Sequence, residues 1–166
     1  MVDADLFDLS RALGVSLKEK GWVLALAESC TGGWASECVT AVPGSSTWFD
    51  CGFVTYSNSA KQEQLGVSEL TLELHGAVSE HTALEMALGA LHRSQADITA
   101  AITGIAGPDG GSAEKPVGTV CFAWATAEGI SESITLRFEG DREAVRRESV
   151  KTVLEGLLQL TLATDL

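Results

Sequence analysis

The segment AESCTGG at residues 27–33 places a serine, a threonine and two glycines directly after the apolar run 23–26. An apolar run that enters such a turn and then opens a helix predicts strand, tight turn and helix. Ser29 would then lie at the carboxyl edge of a sheet, where open α/β sheets bind their ligands. A phosphate or an oxyanion bound at this edge would meet the N–H groups of the turn, those of Thr31, Gly32 and Gly33. The alternative is an ordinary helix start with Thr31 as its N-cap.

A tyrosine and a lysine follow the second strand-like segment, 52–56. The pattern predicts a short helix through Leu65 with Asn58 as its N-cap, so that Lys61 is its third residue. The positive end of the helix dipole opposes an ammonium group there, and partial burial would also lower the pKa of Lys61 toward that of a general base. Tyr56 could then relay a proton or hold the hydroxyl of Ser29. The alternatives are a solvated lysine and a tyrosine buried in its strand.

The glycine-rich segment TGIAGPDGG at 103–111 follows a third strand-like run. It is neither a P-loop nor a dinucleotide fingerprint, because the spacing differs from both and Lys115 is followed by proline. Its glycines permit close approach of the backbone to a ligand, or the segment is a long flexible crossover. Ser45 and Ser46 precede the second strand, where they could donate to a phosphate or form an ordinary turn.

The length of 166 residues and the mass of 17.4 kDa predict one domain, spanning 1–166. The formal net charge is −12, from 11 Lys and Arg against 23 Asp and Glu. Because there is no basic stripe, general nucleic-acid binding is excluded. No apolar run has the length of a membrane span, and the first residues lack the basic region of a signal peptide. We therefore expect a cytoplasmic protein that does not bind membranes.

Cysteine and histidine spacing gives no metal-binding pattern. The four cysteines, at 30, 38, 51 and 121, form no C-x-x-C pair and accompany no histidine cluster, so we predict no zinc site and reduced, mostly buried thiols. Cys30 is an alternative nucleophile to Ser29. The histidines are expected at the surface, at positions 75, 81 and 92. A Ser-His-Asp triad would have to use His75, in a loop before Gly76.

Apolar periodicity divides the chain into alternating helices and strands. The predicted helices are 3–20, 34–39, 59–65, 80–93 and 142–162, and the predicted strands are 23–27, 52–56, 98–102, 117–126 and 130–138. Ser79 and Asp141 are the expected N-caps of the last two helices. A three-residue turn separates the last two strands, which predicts a hairpin and hence an antiparallel pair. The fold class is therefore α/β, a three-layer α/β/α domain with a mixed sheet.

Four long motifs follow one another along the chain. They are AESCTGG at 27–33, PGSSTWFDCGFVTYSNSAKQEQLGV at 43–67, GAVSEHTALEMALGA at 76–90 and AITGIAGPDGGSAEKPVGTV at 101–120. In this order they resemble the CinA C-terminal domain family, the family of nicotinamide-nucleotide amidohydrolases. The resemblance extends from about Leu6 to the final helix, and four ordered motifs are far more specific than a single glycine pattern.

The resemblance implies a five-stranded mixed sheet and an enzyme that hydrolyses the carboxamide of nicotinamide mononucleotide. The products would be nicotinic acid mononucleotide and ammonia, formed without a cofactor. Ser29 is then the nucleophile, Lys61 the base and acid, and Tyr56 an auxiliary residue. We expect the substrate contacts to come from Thr31, Gly32, Gly33, Ser46, Asn58, Thr103, Gly104 and Arg142.

The resemblance also bears on assembly and on a competing function. Family members commonly self-associate, so we expect a homo-oligomer whose other partner is the small nucleotide. Arg142, in a Gly-Asp-Arg element of the family, could contact phosphate or a neighbouring subunit, whereas Arg146 and Arg147 are expected on the solvated or subunit-facing side. Longer members carry an extra N-terminal domain acting on pyrophosphates, an activity not expected here. The competing function is an inactive nucleotide-sensing or competence-associated module that binds a partner; it should have lost part of the catalytic set.

Overall fold

Five strands form one mixed sheet in a computed structural model of the chain, which describes residues 3–163. The strands are β1 (Leu24–Glu28), β2 (Phe49–Val54), β3 (Ile98–Gly104), β4 (Thr119–Thr126) and β5 (Ser131–Arg137). Their order in the sheet is β2-β1-β3-β4-β5. β1 is parallel to both of its neighbours, whereas β4 is antiparallel to β3 and β5. The predicted mixed sheet and its closing hairpin are confirmed.

Six helices cover the two faces of this sheet. They are α1 (Ala4–Lys20), α2 (Trp34–Thr40), α3 (Asn58–Leu65), α4 (Glu69–His75), α5 (Glu80–His92) and α6 (Arg142–Ala163). One apolar core joins α1, α2 and α6 to the sheet, and a second joins α3, α4 and α5 to its other face. The predicted three-layer α/β/α arrangement is therefore confirmed. The ends of the predicted domain, residues 1–2 and 164–166, lie outside the described residues.

Burial along the strands explains their sequences. β1 and β4 are buried at every position because helices cover both faces of the sheet there, and accordingly both strands are mostly apolar. β5 lies at the edge and is largely exposed, which accounts for its serines and charged residues. The parallel strands β1 and β2 end on the same side of the sheet, and β3 ends beside β1. Their carboxyl ends therefore converge.

Local structure differs from the predictions at β2 and at the start of α3. β2 begins three residues earlier than expected and ends at Val54, so Tyr56 lies beyond the strand. Ser57, not Asn58, is the N-cap of α3, because its hydroxyl accepts the N–H of Ala60 at 3.0 Å. Lys61 is consequently the fourth helical residue.

Helix α4 was not predicted, and its last residue is His75, which therefore lies in a helix and not in a loop. The helix spans seven residues, and its leucines at 70, 72 and 74 alternate with polar residues, a period typical of a strand, although only Leu72 is buried. Its boundaries are marked by Ser68 at the N-cap and by Gly76 after the end. Within residues 3–163, no helix is long and apolar enough to cross a membrane.

Candidate active site

The turn that carries Ser29 is fixed to the sheet by its backbone. The N–H of Ser29 donates to the carbonyl of Ile102 in β3 at 3.0 Å, which continues the β1–β3 pairing by one residue. The N–H of Gly32 then donates to the carbonyl of Ser29 at 3.0 Å and closes the turn. Gly32 has a φ of +61°, a conformation that favours glycine. The Ser29 side chain is nearly buried, with 7% of the residue exposed at the carboxyl end of β1.

Glu28, the residue before Ser29, joins β1 to the start of α2. Its fully buried carboxylate accepts the hydroxyls of Thr31 and Ser36, both at 2.7 Å. It also accepts the N–H groups of Ala35 at 2.9 Å and of Ser36 at 3.0 Å. These N–H groups belong to the first turn of α2, where the helix dipole favours a negative charge. The carboxylate therefore replaces an N-cap side chain, because Gly33 at the N-cap has none.

Replacing Glu28 by glutamine should lower the free energy of unfolding by at least about 2 kcal/mol, since hydrogen bonds to a charged group contribute about 1.5–3 kcal/mol each. A neutral amide also presents an N–H group to donors that need an acceptor. Urea unfolding measures the change. The control is Glu37→Gln, which removes the same charge at an exposed position of α2. A Glu28→Gln protein as stable as this control would contradict a stabilising role for the buried carboxylate.

Lys61 is buried against the Ser29 hydroxyl. Only 1% of the residue is exposed, and its Nζ lies 3.0 Å from Ser29 Oγ. The same nitrogen donates to the carbonyl oxygens of Thr55 at 2.8 Å and of Tyr56 at 3.4 Å. α3 delivers the lysine to this position because Leu65 and Lys61, four residues apart, both face inward. The predicted alternative of a solvated lysine is wrong.

Burial lowers the pKa of Lys61 below that of an ordinary lysine, because it disfavours the charged ammonium. Removal from water is the principal cause of this shift. A lysine that loses its proton more readily can accept one from a hydroxyl at hydrogen-bond distance. The Ser29–Lys61 pair can therefore generate a nucleophilic serine without a histidine.

A cavity of about 270 Å³ lies in front of this pair. Its walls come from the ends of β1 and β3, from α3 and α6, and from the segments around 77 and 105. They include six of the predicted site residues, namely Ser29, Tyr56, Lys61, Thr103, Gly104 and Arg142. The fold thus brings together residues that are up to 113 positions apart in the sequence, from Ser29 to Arg142.

Tyr56 and Arg142 form one wall of the cavity. Arg142 donates from Nη2 to the Tyr56 hydroxyl at 3.1 Å and from Nη1 to the carbonyl of Gly107 at 2.7 Å. Tyr56 is 61% exposed, so it is not a buried strand residue, and its hydroxyl lies with Arg142 at the rim. Tyr56 also contacts Lys61 through its backbone carbonyl.

Thr103 and Gly104 form the opposite part of the wall, at the end of β3. The Thr103 hydroxyl donates to the carbonyl of Ala77 at 2.8 Å and holds that segment against the strand. A Cβ on Gly104 would lie 2.8 Å from a methyl carbon of Val120 and 3.0 Å from the carbonyl oxygen of Thr119. Gly104 is thus required by its close packing on β4.

The other five predicted contact residues do not line this cavity. Thr31 is fully buried and donates to Glu28, and the Gly32 N–H is bonded within the turn. Gly33 is the N-cap of α2, whose first N–H groups already bind the Glu28 carboxylate. An internal carboxylate therefore occupies the start of α2, beside the turn where an anion was expected.

Ser46 and Asn58 lie away from the cavity for different reasons. Ser46 belongs to a short 3₁₀ turn, 45–47, that leads into the amino end of β2. The site is at the carboxyl end of the parallel strands, so a strand length, roughly 20 Å at 3.3 Å per residue, separates the two edges. Asn58 is the exposed first residue of α3 and does not line the cavity.

Neither alternative nucleophile system is favoured by the geometry. Burial raises the pKa of the Cys30 thiol to about 11, which keeps the thiol protonated at neutral pH. His75 stacks on His81 with the ring centroids 3.7 Å apart, and both rings are exposed outside the cavity walls. His92 is the exposed last residue of α5. The four cysteines carry free thiols, and three of them are buried, as predicted.

Arg146 of α6 differs from its predicted solvated or subunit-facing position, whereas Arg147 forms an ion pair. Arg146 donates from Nε to the carbonyl of Cys30 at 3.0 Å and from Nη2 to that of Thr31 at 3.2 Å. Arg147 pairs with Asp3 at 2.7 Å and joins α6 to the start of α1. No local sequence pattern signals these contacts, because their partners are 115 to 144 residues away.

Glu28 was likewise missed, although its place beside Ser29 in a buried strand marks it as a charge that needs donors.

The comparisons with known proteins agree with the resemblance found in the motifs. Residues 7–161 match the family model described as CinA C-terminal domain. The chain is 55% identical to "Nicotinamide-nucleotide amidohydrolase PncC" of Escherichia coli strain K12, over 96% of each chain. It is 49% identical to the protein of the same name from Pseudomonas putida, over 92% of this chain and 94% of that one.

A solved structure has the same fold. It is the crystal structure of a competence/damage inducible protein from Agrobacterium tumefaciens, with a TM-score of 0.94 and 45% identity, over 96% of this chain and 98% of that one. The family model covers most of the chain, and the sequence and structural relatives cover it almost completely. The chain belongs to the CinA C-terminal domain family.

Proposed function

We propose that this protein hydrolyses the carboxamide of nicotinamide mononucleotide to nicotinic acid mononucleotide and ammonia. The observation that carries the proposal is the buried Lys61 Nζ, 3.0 Å from Ser29 Oγ at the wall of the cavity. The names of the two relatives reported above support the same substrate class and reaction. No step of the proposed reaction needs a cofactor.

The reaction begins with proton transfer from Ser29 to Lys61 as the serine oxygen attacks the amide carbonyl. The ammonium of Lys61 returns that proton to the amide nitrogen, the C–N bond breaks, and ammonia leaves. A water molecule then gives a proton to Lys61 and attacks the acyl-serine ester. Cleavage of the ester releases the carboxylic acid and returns the proton to Ser29, so that one water is consumed for each ammonia formed.

The energetic cost of the Lys61 position favours this enzymatic function over an inactive partner-binding module. Burying an ammonium group is unfavourable, and it lowers the pKa of the lysine instead of strengthening the fold. A module without catalysis would have no need to keep Lys61 against Ser29. All three residues of the catalytic set, Ser29, Lys61 and Tyr56, line the same cavity.

Ammonia release from nicotinamide mononucleotide is the test of this function. The purified protein is incubated with the nucleotide, and ammonia and nicotinic acid mononucleotide are measured together. Equal amounts of the two products are expected, with none formed by heat-unfolded protein. Binding of the nucleotide without any ammonia release would support the inactive module instead.

Arg142 is the proposed anchor of the substrate phosphate. Its guanidinium lies at the cavity rim and has five N–H groups, more than its contacts with Tyr56 and Gly107 use. Thr103 and Gly104, at the opposite wall, are the proposed contacts of the carboxamide. A guanidinium matches phosphate geometry well, and in this acidic chain recognition has to rest on such local donors.

Replacing Arg142 by methionine should lower kcat/KM for nicotinamide mononucleotide about 10- to 100-fold, the range expected from losing one charged hydrogen bond of about 1.5–3 kcal/mol. Nicotinamide riboside lacks the phosphate, so the wild-type protein should have a low kcat/KM for it. Arg142→Met should lower that kcat/KM little further. The measurement is kcat/KM for both substrates. Arg137→Met, on the edge strand β5, is the control. Equal wild-type efficiencies for the two substrates would contradict a phosphate anchor.

Self-association and a cytoplasmic location are the two further parts of this proposal. Self-association follows from the family resemblance. Sedimentation velocity of the purified protein tests the first: a species heavier than the 17.4 kDa monomer is expected.

A further inference from the structure

Arg146 reaches from α6 to the turn that carries the nucleophile. Its Nε donates to the carbonyl of Cys30 at 3.0 Å, and its Nη2 donates to the carbonyl of Thr31 at 3.2 Å. These are the two residues that directly follow Ser29. The guanidinium also lies over the ring of Trp34, 5.5 Å from its centroid, which holds it in place.

The two members of the Ser29–Lys61 pair are supported independently. Lys61 is held by the carbonyl oxygens of Thr55 and Tyr56, which lie between β2 and α3. Ser29 is held by its own turn, and that turn has Glu28 on the α2 side and Arg146 on the α6 side. The distance between Oγ and Nζ therefore depends on how firmly the turn is held.

We propose that Arg146 is a positioning residue for the Ser29 nucleophile, acting through its two bonds to the turn. The proposal rests on the proposed amide hydrolysis. The planar fork of Arg146 offers a separate N–H group to each carbonyl, Nε to Cys30 and Nη2 to Thr31, whereas a lysine ammonium at this position would have to reach both carbonyls from a single nitrogen. Arg146 does not itself line the cavity, so its loss should leave substrate binding in place.

Arg146→Ala should lower kcat for nicotinamide mononucleotide about 10- to 100-fold, because displacements of about 1 Å at a reacting group can cost a factor of that size. KM should stay within about twofold of the wild-type value. Arg146→Lys should recover only part of the loss. Arg147→Ala is the matched control: the neighbouring arginine pairs with Asp3 instead of the turn, so its loss should leave kcat unchanged.

Hydrogen exchange provides a readout that does not need the substrate. Amides of the peptide that contains Ser29 should exchange faster in Arg146→Ala than in Arg147→Ala, since only the first variant frees the turn. If the wild-type protein releases no ammonia, the proposed function fails, while the exchange rates still decide whether Arg146 holds the turn. Unchanged exchange in Arg146→Ala, an unchanged kcat, or full recovery by Arg146→Lys would overturn the proposal.

Discussion

Replacing Ser29 by alanine is expected to lower kcat for nicotinamide mononucleotide by on the order of 10⁴-fold, because the variant lacks the attacking oxygen. The change removes one atom, whose hydrogen bond is with Lys61, and leaves the turn bonds to Ile102 and Gly32 intact. The substrate should therefore still bind. Turnover is measured by ammonia release, and binding by calorimetry with the same nucleotide.

Cys30→Ala is the matched control for this experiment. Its thiol lies beside Ser29 at the cavity, but burial raises the pKa of the thiol to about 11 and keeps it protonated. The cysteine variant should keep most of the wild-type rate. A Ser29→Ala protein with near wild-type turnover would instead assign the attack to Cys30 or directly to water.

Replacing Lys61 by arginine is expected to lower kcat by about 10³-fold or more, although the positive charge is kept. A guanidinium does not release its proton in proteins, so it cannot accept one from Ser29. Lys18→Arg, at an exposed position of α1, is the control for the substitution type. An active Lys61→Arg protein would show that this position supplies only charge.

The pH dependence of the wild-type rate tests the same base. Lys61 must be neutral to accept the serine proton, and its neutral fraction increases as the pH rises through its pKa. Because burial lowers this pKa, kcat/KM should rise with pH along a limb centred below the ordinary lysine value. Lys61→Met should remove both the activity and that limb. A rate that falls with rising pH over this range would contradict a neutral lysine base.

The alternation of strands and helices was sufficient to predict a mixed sheet with a closing hairpin. The pairing of Ser29 with Lys61 was instead implied by the family resemblance, because the residue type alone favours a solvated lysine. α4 escaped prediction because its leucines at 70, 72 and 74 alternate with polar residues, which is the period of a strand and not of a helix. A short helix with a polar N-cap and a terminal glycine has few other signals.

The proposed anion site at the Ser29 turn shows a different limit of sequence reasoning. The pattern of Thr31 and two glycines correctly predicts a tight turn before a helix, but the acceptor for its donors was taken to be a ligand. For the Thr31 hydroxyl and for the first N–H groups of α2, the structure supplies an internal acceptor, the buried carboxylate of Glu28. Arg146 was missed because its contacts depend on how α6 lies across the sheet, which no local pattern encodes.

The central claim is that Ser29 forms an acyl intermediate with the nicotinate group. Its most direct test is mass mapping of the protein, quenched in acid during turnover of the methyl ester of nicotinic acid mononucleotide. Methanol leaves more readily than ammonia, so the acyl-enzyme should accumulate. An adduct of the nicotinic acid mononucleotide acyl group on Ser29, absent from Ser29→Ala, is the predicted result. Turnover of the ester with the adduct on Cys30, or with no adduct at all, would contradict the account.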